Sequence, residues 1–128
     1  MTNKDIFLGA LALIGEPSLE GAQDYAERAP FIIANFISEN EALDKQYRVA
    51  KGEPAVGATS PVYAAFDETF PLSARFASAS QYYLAAMLVS DEDMERSDVY
   101  FDRFCTAMSD IISEIPAVCE SITEAYGF

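Results

Sequence analysis

Apolar residues recur every three or four positions through most of this sequence, which is the spacing of amphipathic helices. No run of residues shows the sustained alternation of apolar and polar side chains that is typical of strands. A chain of 128 residues has the length of one domain. The sequence therefore predicts a single all-α domain over residues 1–128, built from four to five helices.

One stretch, residues 50–71, does not follow the helical spacing. It contains Lys51-Gly52-Glu53-Pro54 and Gly57-Ala58-Thr59-Ser60-Pro61, which are turn and loop sequences. Segments of this length without a regular element are usually functional or mobile. We predict a long irregular loop with an exposed tip near 52–60. Its part from 50 to 61 is expected to be mobile in the isolated subunit and to order at an interface.

Capping residues and prolines place the predicted helix ends. Thr2 or Asn3 can cap a first helix, and Gly15 can end it. A second pattern continues through Pro30, which either kinks one long helix or starts another, and we favour the kinked helix. Ser90 is a natural N-cap for the last long helix. The predicted helices cover residues 3–15, 22–47, 72–89 and 91–114, with a short helix from 116 to 125.

The last long helix has the clearest amphipathic pattern. Its predicted apolar stripe faces the core, and core packing is the expected role of Cys105. Carboxylates such as Glu95, Asp98 and Asp102 are expected to face away. The predicted stripe consists of Met94, Phe101, Cys105, Met108, Ile112 and Ile115.

The charge of the chain limits its partners. The net charge is −13, and residues 91–128 carry 10 acidic but only 2 basic residues. Phosphate backbones and anionic membrane surfaces are bound by clusters of Lys and Arg, which this chain lacks. Sequence-specific nucleic-acid binding and membrane binding are therefore not expected. Ile6–Ile14 is also too short an apolar run to span a bilayer.

The residue types needed for common enzyme chemistry are missing. The chain has no histidine, so it lacks the usual general base and the commonest zinc ligand. Two cysteines, Cys105 and Cys119, cannot complete a zinc site alone, and we interpret them as reduced intracellular thiols. No phosphate-binding glycine loop is present. We expect no enzyme activity, no catalytic residues, no metal and no cofactor.

Two groups of carboxylates need separate consideration. Asp91, Asp93, Glu95 and Asp102 have offsets like those of a calcium loop, but Arg96 stands where that loop requires glycine. We interpret this stretch as the capped start of a helix. The second group, Glu39, Glu41 and Asp44, is expected to form a solvated helix face.

Association with other chains is the remaining prediction. The first helix is apolar on nearly all sides, so it is either central in the core or covered by another subunit. Aromatic residues after the loop tip supply further apolar anchors. The candidate interface residues are Ile6, Leu8, Leu11, Tyr63, Phe66 and Phe70.

Two parts of the sequence resemble the small head-to-tail connector (adaptor or head-completion) proteins of tailed bacteriophages and prophages. The first is the apolar segment 5–15 followed by a long helix with Tyr25 and Ala29-Pro30. The second is Phe70-Pro71-Leu72, the segment 82–88, an acidic turn, and a helix with Phe101 and Phe104. This resemblance implies a helical, cofactor-free subunit that forms a ring of its own copies between portal and tail or neck proteins. It also implies a location in the virion, and in the host cytoplasm during assembly.

A second hypothesis is a small acidic helical regulator that binds another protein. The more specific form of this hypothesis is a DNA-mimicking inhibitor. A ring of identical subunits needs two different complementary patches on each copy. We expect one patch on the first helix and residues 50–71, and the other on the helices 72–89 and 91–114. A discrete dimer or monomer would favour the regulator instead.

Overall fold

The predicted all-α class is confirmed. The structure, a computed structural model, describes residues 1–15, 22–54, 57 and 59–115. Within these ranges there are four α-helices and no strand, apart from an isolated bridge between Thr2 and Thr69. The helices are α1 (Asn3–Ile14), α2 (Gln23–Ala50), α3 (Ala77–Val89) and α4 (Met94–Ser113), with one 3₁₀ turn at Ala74–Phe76. The predicted helix 116–125 and Cys119 lie outside the described residues.

Both predicted ends of the first helix are confirmed. Thr2 is the N-cap: its hydroxyl accepts a hydrogen bond from the backbone N–H of Asp5, and the Asp5 carboxylate accepts one from the backbone N–H of Thr2. Gly15 ends the helix with φ +88°, a conformation that glycine adopts without strain. Asn3, the other candidate cap, is buried inside the first turn.

The long second helix continues through Pro30, as predicted, and ends at Ala50. Proline lacks the N–H that would bond to the preceding turn. The Pro30 carbonyl oxygen accepts a hydrogen bond of 3.0 Å from the backbone N–H of Ala64, so the following loop is attached to the helix at this point. Pro30 itself is buried.

Helix α3 is the central element of the fold, because it packs against α1, α2 and α4. It starts later than the predicted position 72, after Ser73 and the 3₁₀ turn. Alanines and small residues on α3 let its neighbours approach closely, and Gly9 of α1 lies directly against Gln81. The largest fully buried side chains of the shared core include Phe7, Phe36, Phe76, Leu84 and Leu88.

The described part of residues 51–73 contains no helix or strand, and its second half is anchored. The backbone N–H groups of Asn3 and Lys4 donate to the carbonyl oxygens of Glu68 and Phe66. The Phe66 ring also stacks on Phe7, with centroids 4.9 Å apart. The described tip residues 52–54, 57, 59 and 60 are exposed. Residues 55, 56 and 58 lie outside the described ranges, so the mobility of the 50–61 segment stays a prediction.

The predicted N-cap of the last helix is wrong. Ser90 has helical backbone angles and continues the last turn of α3, where its hydroxyl donates to the carbonyl oxygen of Met87 at 3.0 Å. The chain leaves the helical conformation only after that, and Asp93 becomes the N-cap. The Asp93 carboxylate accepts a hydrogen bond of 3.2 Å from the backbone N–H of Arg96.

Candidate binding face on the last helix

The predicted orientation of α4 is wrong by about a quarter of a turn. The buried positions are Ser97, Tyr100 and Ile111, with Phe104 and Ala107 half-buried beside them. Two polar groups fix this face: the Ser97 hydroxyl donates to the Ala86 carbonyl oxygen at 2.9 Å, and the Tyr100 hydroxyl donates to that of Leu13 at 2.6 Å. These bonds fasten α4 to α3 and α1.

Most of the predicted core stripe therefore faces solvent. Met94 is 62% exposed, Phe101 43% and Ile112 51%. Cys105, which we predicted to be in the core, is also exposed. These four residues are seven, four and seven positions apart, so they lie within about 20° of one straight line along the helix. We call Met94, Phe101, Cys105 and Ile112 the α4 stripe.

The other two members of the predicted stripe lie nearer the core. Met108 is half-buried, and Ile115 is buried just beyond the end of the helix. The apolar arc of α4 is thus wider than the face that α3 covers. One edge of this arc belongs to the core, and the α4 stripe is the edge that remains exposed.

A row of aromatic rings connects the α4 stripe to the core. Buried Phe36 lies 5.6 Å from Tyr83, Tyr83 lies 5.3 Å from Phe104, and Phe104 lies 5.5 Å from Phe101, measured between ring centroids. Asn35 donates a hydrogen bond of 2.7 Å to the Tyr83 hydroxyl. Burial raises the pKa of Tyr83, and this hydrogen bond opposes the rise. Phe101 is therefore supported by a packed row of rings that reaches the core.

Carboxylates border the α4 stripe on both sides. Asp98 and Asp102 are exposed and lie three positions before Phe101 and Cys105, so each is next to the stripe on the helix surface. On the α2 side, exposed Glu39 lies one helical turn after Asn35, whose side chain donates to the Tyr83 hydroxyl. The charge of Glu39 contributes to the raised pKa of Tyr83.

The two basic residues of α4 lie on its other side. Arg96 donates a hydrogen bond of 3.0 Å to the Tyr100 hydroxyl and another to the Ile14 carbonyl oxygen. Arg103 lines a groove with Tyr82 and Asp110. The field at the α4 stripe is consequently negative.

A second exposed apolar group lies on the opposite side of α2. Phe31 and Tyr63 meet edge to face with centroids 5.0 Å apart, and Val62 beside them is exposed. We call Phe31, Val62 and Tyr63 the loop patch. Phe31 lies about 140° around α2 from Phe36, the residue that contacts Phe104 of α4. The loop patch and the α4 stripe therefore face different directions.

The structure separates the six predicted interface residues into two groups. Leu8 and Tyr63 are exposed, and Phe66 is half-buried against Phe7. Ile6, Leu11 and Phe70 are buried in the core of this chain. Sequence reasoning missed Phe31 of the loop patch. Phe31 lies off the apolar face of α2, and an isolated large apolar residue on the outer face was the only local signal, because its contact with Tyr63 depends on tertiary packing.

The predicted solvated face of Glu39, Glu41 and Asp44 is only partly correct. Glu39 is exposed, but Asp44 is buried: one carboxylate oxygen accepts from the backbone N–H and hydroxyl of Ser73 at 2.9 and 2.6 Å, and the other from Arg48 at 2.9 Å. Glu41 accepts from the backbone N–H and hydroxyl groups of Thr59 and Ser60, which lowers its pKa. Both carboxylates hold the loop to α2.

Two concave regions lie elsewhere on the described surface. A shallow groove of about 410 Å³ runs beside Tyr82 and Arg103. A smaller cleft of about 150 Å³ lies under residues 59–71, next to the buried Asn3 side chain, whose oxygen has no hydrogen-bond donor among the described residues. Ligand sites usually measure about 300–1,000 Å³ and enclose their ligand. The cleft is too small and the groove too open to fit that description.

Among the residues that the structure describes, no three or more Cys, Asp or Glu side chains are grouped as metal ligands would be. No helix in the same ranges is long and apolar enough to cross a membrane. The chain matches no family model, no curated protein and no solved structure.

Proposed function

We propose that this protein is an association subunit that works by binding other protein chains through the α4 stripe. The observation that carries the proposal is the exposure of Phe101 and Ile112 on a face backed by packed aromatic rings. Contiguous exposed apolar residues with a polar border are typical of protein–protein contact sites. Solvent exposure of these side chains is unfavourable, and a partner that covers them removes that cost.

The specific form of this proposal is a head-to-tail connector subunit, because the sequence resembles those proteins. A ring of identical copies requires two different contact surfaces on each subunit. The loop patch supplies one of these two surfaces, and the α4 stripe, which faces a different direction, is left for a partner of another kind. In this arrangement the α4 stripe contacts a portal or neck protein, and the loop patch contacts the neighbouring copy.

The charge of the chain favours assembly on a template. With a net charge of −13, copies of the chain repel each other at low ionic strength. A partner ring that binds each copy through the α4 stripe would hold the copies together against this repulsion. Ring formation is accordingly expected to require the portal or high salt, and the isolated protein is expected to be monomeric at low salt.

The acidic border of the α4 stripe favours a second candidate function, that of a small regulator that binds one target protein. A regulator of this kind forms a discrete complex of fixed, small stoichiometry. A connector forms a closed ring with many copies. Particle images and the mass of the complex distinguish the two.

The experiment that tests the connector form mixes the protein with the portal protein encoded in the same genome and images the product at several salt concentrations. We expect rings on the portal, and loss of the complex in Phe101→Ser and Ile112→Ser. Val99→Ser is the matched control, since Val99 is 50% exposed on the same helix but lies about 140° around it from Met94. If no ring or portal complex forms at any salt concentration, the connector form is wrong.

A further inference from the structure

We infer that the α4 stripe binds a cationic amphipathic helix that belongs to a different protein. This inference rests on the proposed function and adds the chemistry of the partner. A helix with apolar residues at every third or fourth position and lysine or arginine on both flanks is the occupant that fits.

The dimensions of the stripe suit a helix. Met94 and Ile112 are the ends of a straight apolar line about 27 Å long, which equals the length of a partner helix of about 18 residues. Phe101 stands near the middle of this line and is supported by Phe104 and Tyr83. A rigid aromatic anchor at the centre of a contact is the common arrangement in strong interfaces.

The charges around the stripe select for lysine and arginine. Asp98 and Asp102 border one side. On the α2 side, exposed Glu39 lies one helical turn after Asn35, whose side chain donates a hydrogen bond to the Tyr83 hydroxyl. The basic residues of α4 are directed elsewhere, as described above for Arg96 and Arg103. Among the described residues, none of these three carboxylates is in an ion pair. A cationic flank on each side of the partner helix would therefore meet a carboxylate, which favours association and raises its rate.

Two other occupants are disfavoured by the same charges. A second copy would bring its own Asp98 and Asp102 against those of the first copy. The C-terminal residues 116–128 of the same chain contain Glu120 and Glu124 but no lysine or arginine, so they offer no charge complement. Like charges brought together at an interface oppose binding.

The test measures binding of synthetic peptides to the full-length protein by calorimetry. The probe is an amphipathic peptide of about 18 residues with leucine on one face and lysine on both flanks. One comparison peptide has the same leucine face with glutamate flanks, and another has the same composition as the probe in a scrambled order. We expect the probe alone to bind with a measurable heat, and its affinity to fall as salt is added.

Matched variants locate the binding. Phe101→Ser and Ile112→Ser should each lower the affinity for the probe by about tenfold or more. Val99→Ser should leave this affinity unchanged. The double substitution Asp98→Asn and Asp102→Asn should lower the affinity for the probe and reduce the salt dependence of that affinity. The control double substitution, Asp110→Asn with Glu27→Gln, also removes two negative charges, but from positions that are not next to the stripe. It should lower the affinity for the probe less. Because the substituted side chains are exposed, circular dichroism should show native helix content for every variant.

Four outcomes would overturn the inference. Equal binding of the probe to wild type and to Phe101→Ser would mean that net charge alone attracts it. A wild-type dimer that Phe101→Ser dissociates would identify a second copy as the occupant. Rapid formation of an intramolecular Cys105–Cys119 disulfide when oxidised glutathione is added to the monomer would identify the chain's own C-terminal segment as the occupant. Absence of probe binding would exclude a cationic helix, and the portal experiment would still test the proposed function separately.

Discussion

Asp44 and Asp24 offer a comparison of the same ion pair in two environments on one helix. Each aspartate pairs with an arginine four residues later in α2. The Asp44 side chain is 5% exposed and also binds Ser73, whereas the Asp24 side chain is 73% exposed. Exposed pairs contribute little because water and salt screen them. Removing one partner of a buried pair leaves the other charge without compensation.

We therefore predict that Asp44→Ala lowers the free energy of unfolding by about 3 kcal/mol, because it removes the charge partner of Arg48 and the acceptor of the Ser73 N–H. Asp24→Ala, the control, should change it by less than about 0.5 kcal/mol. Urea denaturation followed by circular dichroism measures both values. Equal effects of the two substitutions would show that burial of Asp44 does not matter.

Tyr25 should make the stability of the fold depend on pH in the alkaline range. Burial, and then the hydrogen bond that its hydroxyl donates to Glu92, raise the pKa of Tyr25 to about 12. The pKa of Tyr25 is higher in the folded state than in the unfolded state, where it is about 10. The contribution of protonated Tyr25 to the free energy of unfolding is therefore complete below about pH 10. It is lost as the pH rises through the folded-state pKa. The bond joins α2 to the turn before α4, so its loss weakens that junction.

The measurement is the phenolate absorbance of wild type minus that of Tyr25→Phe, recorded against pH while circular dichroism reports folding. We expect the difference signal to appear well above pH 10. Glu92→Gln should move it to lower pH, because the charge and the acceptor strength of the carboxylate are removed. A wild-type difference signal centred near the ordinary tyrosine pKa would contradict the prediction.

At the scale of elements, the contact between α1 and α3 depends on a missing side chain. A Cβ atom at Gly9 would lie 2.0 Å from the side-chain nitrogen of Gln81. Alanine is the better helix former by about 1 kcal/mol, so Gly9→Ala has opposing effects in this position. We predict that Gly9→Ala is neutral or destabilising in wild type but stabilises Gln81→Ala by about 0.5–1 kcal/mol. Thermal unfolding of the four proteins measures the difference, and equal stabilisation in both backgrounds would contradict this account.

Local sequence signals predicted the helices of this fold well, but the features that depend on contacts between helices were missed. Thr2 and Gly15 define α1 through their own hydrogen bonds and backbone angles, so the sequence was sufficient there. Ser90 failed as a cap because its backbone is still helical and the chain reaches the extended conformation of an N-cap only at Asp93. The apolar arc of α4 is wide enough to contain two stripes at helical spacing. The choice between them depends on the Ser97 and Tyr100 hydrogen bonds to other helices, which no local pattern reveals.

At the scale of the whole molecule, the misassigned stripe is the feature with the largest functional consequence. The buried edge of the α4 arc completes the core together with α3, and the exposed edge remains available for a partner. The net charge of −13 makes copies of the chain repel each other at low ionic strength. A cationic partner would meet both the apolar stripe and its acidic border. The exposed apolar residues of the stripe favour association, and the acidic residues beside it favour a cationic partner over other chains.

We propose that the α4 stripe is where this protein contacts its partner. The most direct measurement places a photoreactive amino acid at position 101, 112 or 99 of the full-length protein in the cells that make it, and identifies adducts by mass spectrometry. We predict that positions 101 and 112 cross-link to the same lysine- or arginine-rich helical segment of another protein, and that position 99 does not. Adducts equally distributed over the three positions, or found only at position 99, would contradict the account.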